Sequence, residues 1–211
     1  MIPTKEEWIC ALEARHGKEL QKELSAATVA VCGLGGLGSN IAVLLARIGI
    51  GKLILVDFDR VDISNLHRQQ YKANQIGKYK TEALAENLLE IAPYIRLEAH
   101  TECITHENAV TLLQNADIIC EAFDSAESKA MLTNIVLDEL PSKYLVAASG
   151  MAGIGSANSI KSRKITNRFY IAGDGVSEVS GDLGLVASRV AICAAHQAHT
   201  VLRILAKQFE V

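Results

Sequence analysis

Thr28-Val29-Ala30-Val31-Cys32-Gly33-Leu34-Gly35-Gly36-Leu37-Gly38-Ser39 is a short β-branched run that empties into glycines. Thr28–Cys32 has the composition of a strand, and 36–48 reads as a helix of small and aliphatic residues ended by Gly49. Between them Gly33, Gly35 and Gly38 form G-x-G-x-x-G, a turn whose bare backbone lets phosphate approach a helix N-terminus. Lys52–Val56 reads as a second strand, closed by Asp57 nineteen residues past Gly38. A carboxylate at that spacing accepts hydrogen bonds from ribose hydroxyls. Strand, glycine turn, helix, strand and acid open a Rossmann-type sheet and call for a nucleotide.

Working outward, 78–92 reads as a helix stopped by Pro93, 95–100 as a third strand, and 106–114 as a short helix. A fourth strand at 117–121, a helix at 125–140 and a fifth strand at Tyr144–Ala148 follow. Strands alternating with helices predict an α/β fold with a doubly wound, mostly parallel sheet. The pattern changes at 150–171, where short extended segments lack an intervening helix and predict antiparallel strands added at one edge. Residues 172–184 read as a loop with four glycines, and 185–207 as a long closing helix. Upstream, 6–24 has helical spacing interrupted at Gly17. No repeat or linker divides the chain, so one domain is expected over 1–211.

Composition narrows the function classes. Apolar residues make up 49% and aromatic ones 5%, which describes an aliphatic core suited to a buried parallel sheet. The net charge of −3 and the lack of a basic run point away from nucleic acid and anionic membrane. No apolar run is long enough to span a bilayer, and Met1-Ile2-Pro3-Thr4-Lys5-Glu6-Glu7 is not a secretory leader. Cys10, Cys32, Cys103, Cys120 and Cys193 form no C-x-x-C pair, so reduced thiols and a cytoplasmic location are expected. Cys193, His196 and His199 share the closing helix, but the outer two point about 120° apart. With no further ligand nearby in sequence, helix packing accounts for them and no zinc is expected.

A second motif discriminates among nucleotides. Asp57-Phe58-Asp59 leads into Ser64-Asn65-Leu66-His67-Arg68-Gln69, and Gly77-Lys78-Tyr79-Lys80 follows. The diphosphate of NAD is held largely by backbone amides, whereas ATP used for adenylation carries charge that must be neutralised as pyrophosphate leaves. Arg68 offers a planar fork for phosphate oxygens, Lys80 a mobile point charge, and Asn65 and Gln69 neutral donors. These segments, in this order and at this spacing, resemble the ThiF/MoeB/HesA family, bacterial relatives of ubiquitin-activating enzymes. The resemblance covers nearly the whole chain, and Ser-Asn-Leu-x-Arg-Gln is its specific part.

The resemblance implies an ATP-dependent adenylyltransferase. Gly33, Gly35, Gly36 and Gly38 would cradle the nucleotide, with Asp57 on the ribose and Asp59 beside it. Ser64, Asn65, Arg68, Gln69 and Lys80 would surround the triphosphate. Asp124, followed by Ser125, would hold Mg²⁺, and Arg15 would reach the ATP of a partner subunit in a homodimer. The implied partner is a ubiquitin-like sulfur carrier of the ThiS kind, in thiamine synthesis. Its C-terminal Gly-Gly carboxylate would displace pyrophosphate from the α-phosphate to form an acyl-adenylate.

Two departures limit this expectation. The paired C-x-x-C zinc motifs of many members are absent, and residues 172–182 lack the cysteine that some members use in sulfur transfer. Adenylation without a covalent enzyme–carrier intermediate at that loop is therefore expected, with Cys120 buried in its strand. Arg163, Lys164 and Arg168 form a small basic cluster, a solvated edge or a dock for an acidic carrier surface. Other readings stay open: a NAD-binding redox or sensor protein, a non-catalytic scaffold, or activation of the molybdopterin carrier or a modified tRNA base.

Overall fold

Residues 2–179 and 184–211 are described in the computed structural model. The expected loop over 172–184 thus falls partly outside them, at Ser180, Gly181, Asp182 and Leu183. Strands β1 (Thr28–Cys32), β2 (Lys52–Val56), β3 (Arg96–His100), β4 (Ile118–Glu121), β5 (Tyr144–Ala148), β6 (Lys161–Lys164) and β7 (Phe169–Gly173) build one sheet. Its order is β3-β2-β1-β4-β5-β7-β6. Every neighbouring pair is parallel except β6 and β7.

The mixed edge differs from expectation in one respect. Only β6 runs antiparallel, while β7 lies beside β5 and parallel to it. The chain leaves β5, passes one strand position, descends as β6 and returns as β7 through the gap. Both β5 and β7 therefore end on the same side of the sheet as β1, β2 and β4.

Helices α1 (Lys5–His16) and α2 (Lys18–Ala26) break at Gly17, whose φ of 88° suits glycine. Thr4 and Glu7 close a capping box at the start of α1. Helices α3 (Gly36–Arg47), α4 (Lys80–Ile91), α5 (Ala109–Leu113), α6 (Ala126–Glu139) and α7 (Ala187–Leu205) complete the chain. The strands alternate their faces. Val29, Val31, Leu53 and Leu55 meet α3, α4 and α7 on one side, and Ala30, Cys32, Ile54 and Val56 meet α5 and α6 on the other. Two apolar layers on one parallel sheet leave the carboxyl ends of the strands as the place for a ligand. The strand order reverses between β1 and β4, which makes their shared crevice the topological switch point.

Candidate active site

At the end of β1 the backbone turns sharply into α3. Gly33 has a φ of 88°, and a Cβ there would meet the Ala122 carbonyl oxygen at 2.9 Å. At Gly38 a Cβ would lie 1.8 Å from the Gly33 carbonyl oxygen, so the helix can approach the strand this closely only without a side chain. Gly35 is the N-cap and supplies no capping side chain. The first amides of α3 thus have no capping side chain, and the positive end of the helix dipole lies behind them.

Around this turn the structure gathers three groups of expected residues. Asp57 accepts from the Leu34 amide at 2.6 Å through one oxygen and from the Asp59 amide at 2.7 Å through the other. Burial pushes its carboxyl above the usual carboxylate range, against the pull of the Lys80 ammonium and these two amides. Lys80, only 5% exposed, places Nζ 2.7 Å from Asp59 Oδ2. That position follows from the pairing of 59–61 with 77–80, in which Val61 donates to Lys78 and Lys80 to Asp59. Arg60 stacks 3.7 Å over the Tyr79 ring and steadies the same lead-in. Lys80 therefore stands at the end of β2, beside both acids.

Arg68 forms the second group. A Cβ on Gly36 would sit 3.5 Å from Arg68 Cγ and Cδ, so the side chain lies over the first residue of α3. Gln69 reaches Gly35 in the same way, with Nε2 at 3.8 Å. Among the described residues Arg68 Nε and Gln69 Oε1 are buried without a hydrogen-bond partner. An unmade buried hydrogen bond costs about 1–3 kcal/mol, a penalty that an anion seated on the turn would remove at Arg68.

Ser64 and Asn65 lie in the 3-10 turn Ile63–Asn65, ordered by Asp62. Asp62 accepts from the Ser64 amide at 2.8 Å and its hydroxyl at 2.6 Å, and these bonds hold its carboxyl below the usual range. Sequence reading passed over Asp62, although an acid two residues before a serine is a recognisable turn signal.

Asp124 and Ser125 form the third group, on the turn that follows β4. This turn abuts Gly33 through Ala122 and Phe123, and Asp124 is exposed at its tip. Ser125 caps α6, its Oγ accepting from the Ser128 amide at 3.4 Å. Beneath the turn, Glu121 is 1% exposed and receives Lys129 Nζ at 3.0 Å on both oxygens. It also accepts from the Phe123 amide at 2.7 Å. Mg²⁺ is commonly held by one or two carboxylates together with substrate phosphates, and Asp124 offers one such carboxylate on the turn that abuts Gly33. Among the described residues no cluster of three or more His, Cys, Asp or Glu is arranged to hold a metal on its own.

Arg15 does not join these groups within one protomer. It is exposed on α1, and Leu12 of the same helix packs at Gly49, beyond the far end of α3. A twelve-residue helix spans about 18 Å, so Arg15 and Gly36 are at opposite ends.

Cys120 is buried in β4, and burial pushes its thiol up to about 12. Cys193 is buried, His196 Nδ1 lies 3.1 Å from Ser162 Oγ, and His199 is exposed. The loop after β7 is anchored by Asp174, which pairs with the buried Arg189 at the start of α7. Burial raises the Asp174 carboxyl, but the Ser177 and Val176 amides, the Ser177 side chain and Arg189 more than offset this and hold it at about 2. Arg163 lies against Gly175 of the same loop, while Arg168 donates to Ser142 O at the other end of the sheet. No described helix is long and apolar enough to cross a membrane.

The model of the ThiF family matches residues 10–211. The adenylyltransferase and sulfurtransferase MOCS3 of Caenorhabditis briggsae is 34% identical over 62% of this chain and 32% of its own length. The sulfur carrier protein adenylyltransferase of Thermus thermophilus is 34% identical over 56% of this chain and 44% of its own. The chain thus spans less than half the length of these curated relatives. In fold it is similar to the tRNA N6-threonylcarbamoyladenosine dehydratase TcdA of E. coli in complex with ATP. That match has a TM-score of 0.86, 20% identity, and coverage of 99% of this chain and 98% of the other.

Proposed function

The chain belongs to the ThiF family, and we propose that it adenylates the C-terminal glycine carboxylate of a ubiquitin-like sulfur carrier protein, using ATP. The observation that carries this reading is Arg68, whose Cγ and Cδ lie over Gly36 at the uncapped N-terminus of α3 and whose Nε is buried without a partner. A guanidinium poised on open amides suits a polyphosphate better than the less charged diphosphate of a dinucleotide. The names of the relatives in Caenorhabditis briggsae and Thermus thermophilus support the same chemistry.

In this reading Asp57 receives the ribose, and the amides at 35–37 with Arg68 receive the phosphates. Lys80 moderates the acidic pair at the ribose end, and a phosphate recruits it only in competition with Asp59. Mg²⁺ bound with ATP would neutralise phosphate charge, and Asp124 would hold it. The site needs no side-chain nucleophile, because the carrier's own carboxylate attacks the α-phosphate. The enzyme aligns two anions and offsets their repulsion. Arg15 would complete the site from a second copy in a homodimer. A ThiS-like carrier of thiamine synthesis is the partner we favour, on the overall resemblance of the chain to that branch of the family.

Carrier-dependent exchange of labelled pyrophosphate into ATP tests the proposal. Exchange with a ThiS-like carrier, lost when its terminal glycine is removed, is the expected result. Absence of exchange with every ubiquitin-like carrier tried, together with tight NAD binding, would overturn it in favour of a redox or sensor role.

A further inference from the structure

The Leu34 peptide groups are held from both sides. Asp57 takes the Leu34 N–H at 2.6 Å, and Tyr71 Oη donates to the Leu34 carbonyl at 2.8 Å. Tyr71 is 8% exposed, and burial raises its phenol well above the usual value, so the hydroxyl keeps its proton and stays a donor. In a planar trans peptide the carbonyl of one residue and the N–H of the next point in opposite directions. Fixing the Leu34 oxygen on Tyr71 therefore sets the direction of the Gly35 N–H, which points away from the Tyr71 hydroxyl.

A second tie joins the same two segments. Asn40, in the second turn of α3, donates through Nδ2 to the Gly36 carbonyl at 2.7 Å and to the Arg68 carbonyl at 3.1 Å. Its Oδ1 accepts from Gln70 Nε2 at 2.7 Å. Ser39 Oγ adds a bridge, donating to Gly35 O at 2.7 Å and accepting from the Gln70 amide at 3.1 Å. The backbone that carries Arg68 is thereby fastened to the first turn of the helix it covers.

We propose that Tyr71 and Asn40 are positioning residues for the nucleotide: Tyr71 orients the Gly35 amide toward the phosphates, and Asn40 keeps Arg68 above Gly36. Neither touches the nucleotide. The proposal rests on the nucleotide reading given above.

The test compares wild type, Tyr71→Phe and Asn40→Ala as full-length proteins, using MgATP affinity by calorimetry and steady-state pyrophosphate exchange. Removal of one buried hydrogen bond weakens ATP binding by about three- to tenfold if its energy is expressed in the site. The KM for ATP should rise accordingly while the KM for the carrier stays unchanged, a split that general loosening of the fold would not produce. In glycine-labelled protein the Gly35 amide resonance should shift in Tyr71→Phe before any ligand is added. An ATP affinity within twofold of wild type in both folded variants, or equal rises in both KM values, would overturn the proposal. If Tyr71→Phe does not fold, Asn40→Ala decides the question by the same criteria. Failure of the wild-type protein to bind ATP would instead overturn the functional reading itself.

Discussion

Lys129→Met tests whether the turn bearing Asp124 stands on a buried ion pair. Glu121 is 1% exposed and has Lys129 Nζ at 3.0 Å from both oxygens, so removing the ammonium strands a carboxylate inside the protein. Breaking a buried pair from one side costs about 3–5 kcal/mol, or roughly 6–20 °C of Tm in a domain of this size. The loss should depend on pH. Burial already raises the Glu121 carboxyl even with Lys129 present, and without that partner it rises further. An acid with a raised folded pKa binds protons preferentially in the folded state, so stability falls as pH rises from the unfolded pKa through the folded one.

Urea unfolding of wild type and Lys129→Met at pH 8 and pH 5 measures this directly. The gap should be full at pH 8 and shrink as pH falls toward the unfolded value of about 4.3, where a neutral Glu121 needs no cation. Adding Glu121→Gln to Lys129→Met should recover most of the lost stability at pH 8, because no buried charge is then left unpaired. A gap that is equal at both pH values, or that survives the second substitution, would refute the pair as the source of the effect.

Arg68→Ala and Asp124→Ala should each lower pyrophosphate exchange by about 100-fold or more while leaving thermal unfolding near wild type, since each removes charge stabilisation from the site alone. Gly38→Ala would place a Cβ 1.8 Å from the Gly33 carbonyl oxygen. It should therefore cost more than about 3 kcal/mol or prevent soluble expression, as read by urea unfolding and soluble yield. If Arg15 acts across a dimer, mixing and reassembling inactive Arg15→Ala and Arg68→Ala proteins should restore about a quarter of wild-type exchange. Half of the dimers are then mixed, and each mixed dimer has one intact site. Continued inactivity of the mixture, with mixed dimers shown by co-purification of differently tagged chains, would exclude a shared site.

Much of this fold is legible in the amino-acid order because its signals are local. The β-branched run at Thr28–Cys32, the glycines at 33–38 and the acid at Asp57 specify strand, turn and switch point within thirty residues. The edge was harder to read. Phe169–Gly173 is short and apolar, and nothing within it tells whether it will pair with β5 in parallel or only with β6. That choice depends on which strand position the chain skips after Ala148, a property of the whole sheet. The clamps around the site were less legible still. Tyr71 looks like one more core aromatic, and Glu121 like the last residue of a strand. Their partners lie at Leu34 and Lys129, separated by 37 and 8 residues, and become evident only once the backbone has brought them together.

Arg68 and Lys80 show why a motif cannot divide labour between two like charges. Both follow β2, both are cations, and spacing treats them alike. Their surroundings do not. Lys80 is buried against Asp59 Oδ2 at 2.7 Å and lies close enough to Asp57 to lower its carboxyl, so its charge is already engaged before any ligand arrives. Burial and, to a lesser degree, the Asp59 carboxylate raise the Asp57 carboxyl, and Lys80 opposes them; in the proposed reading a protonated Asp57 would be a poorer acceptor for ribose hydroxyls. Arg68 has a different arrangement: its backbone is pinned by Asn40, its Cγ and Cδ lie over Gly36, and its buried Nε has no partner among the described residues. In the proposed reading Lys80 offsets negative charge beside Asp57, while Arg68, whose Nη1 donates to Ser64 O at 3.2 Å, keeps its Nε for the phosphate. The same segment that resembles a single binding motif thus holds two cations in different surroundings, Lys80 paired with an acid and Arg68 bonded to the Ser64 carbonyl.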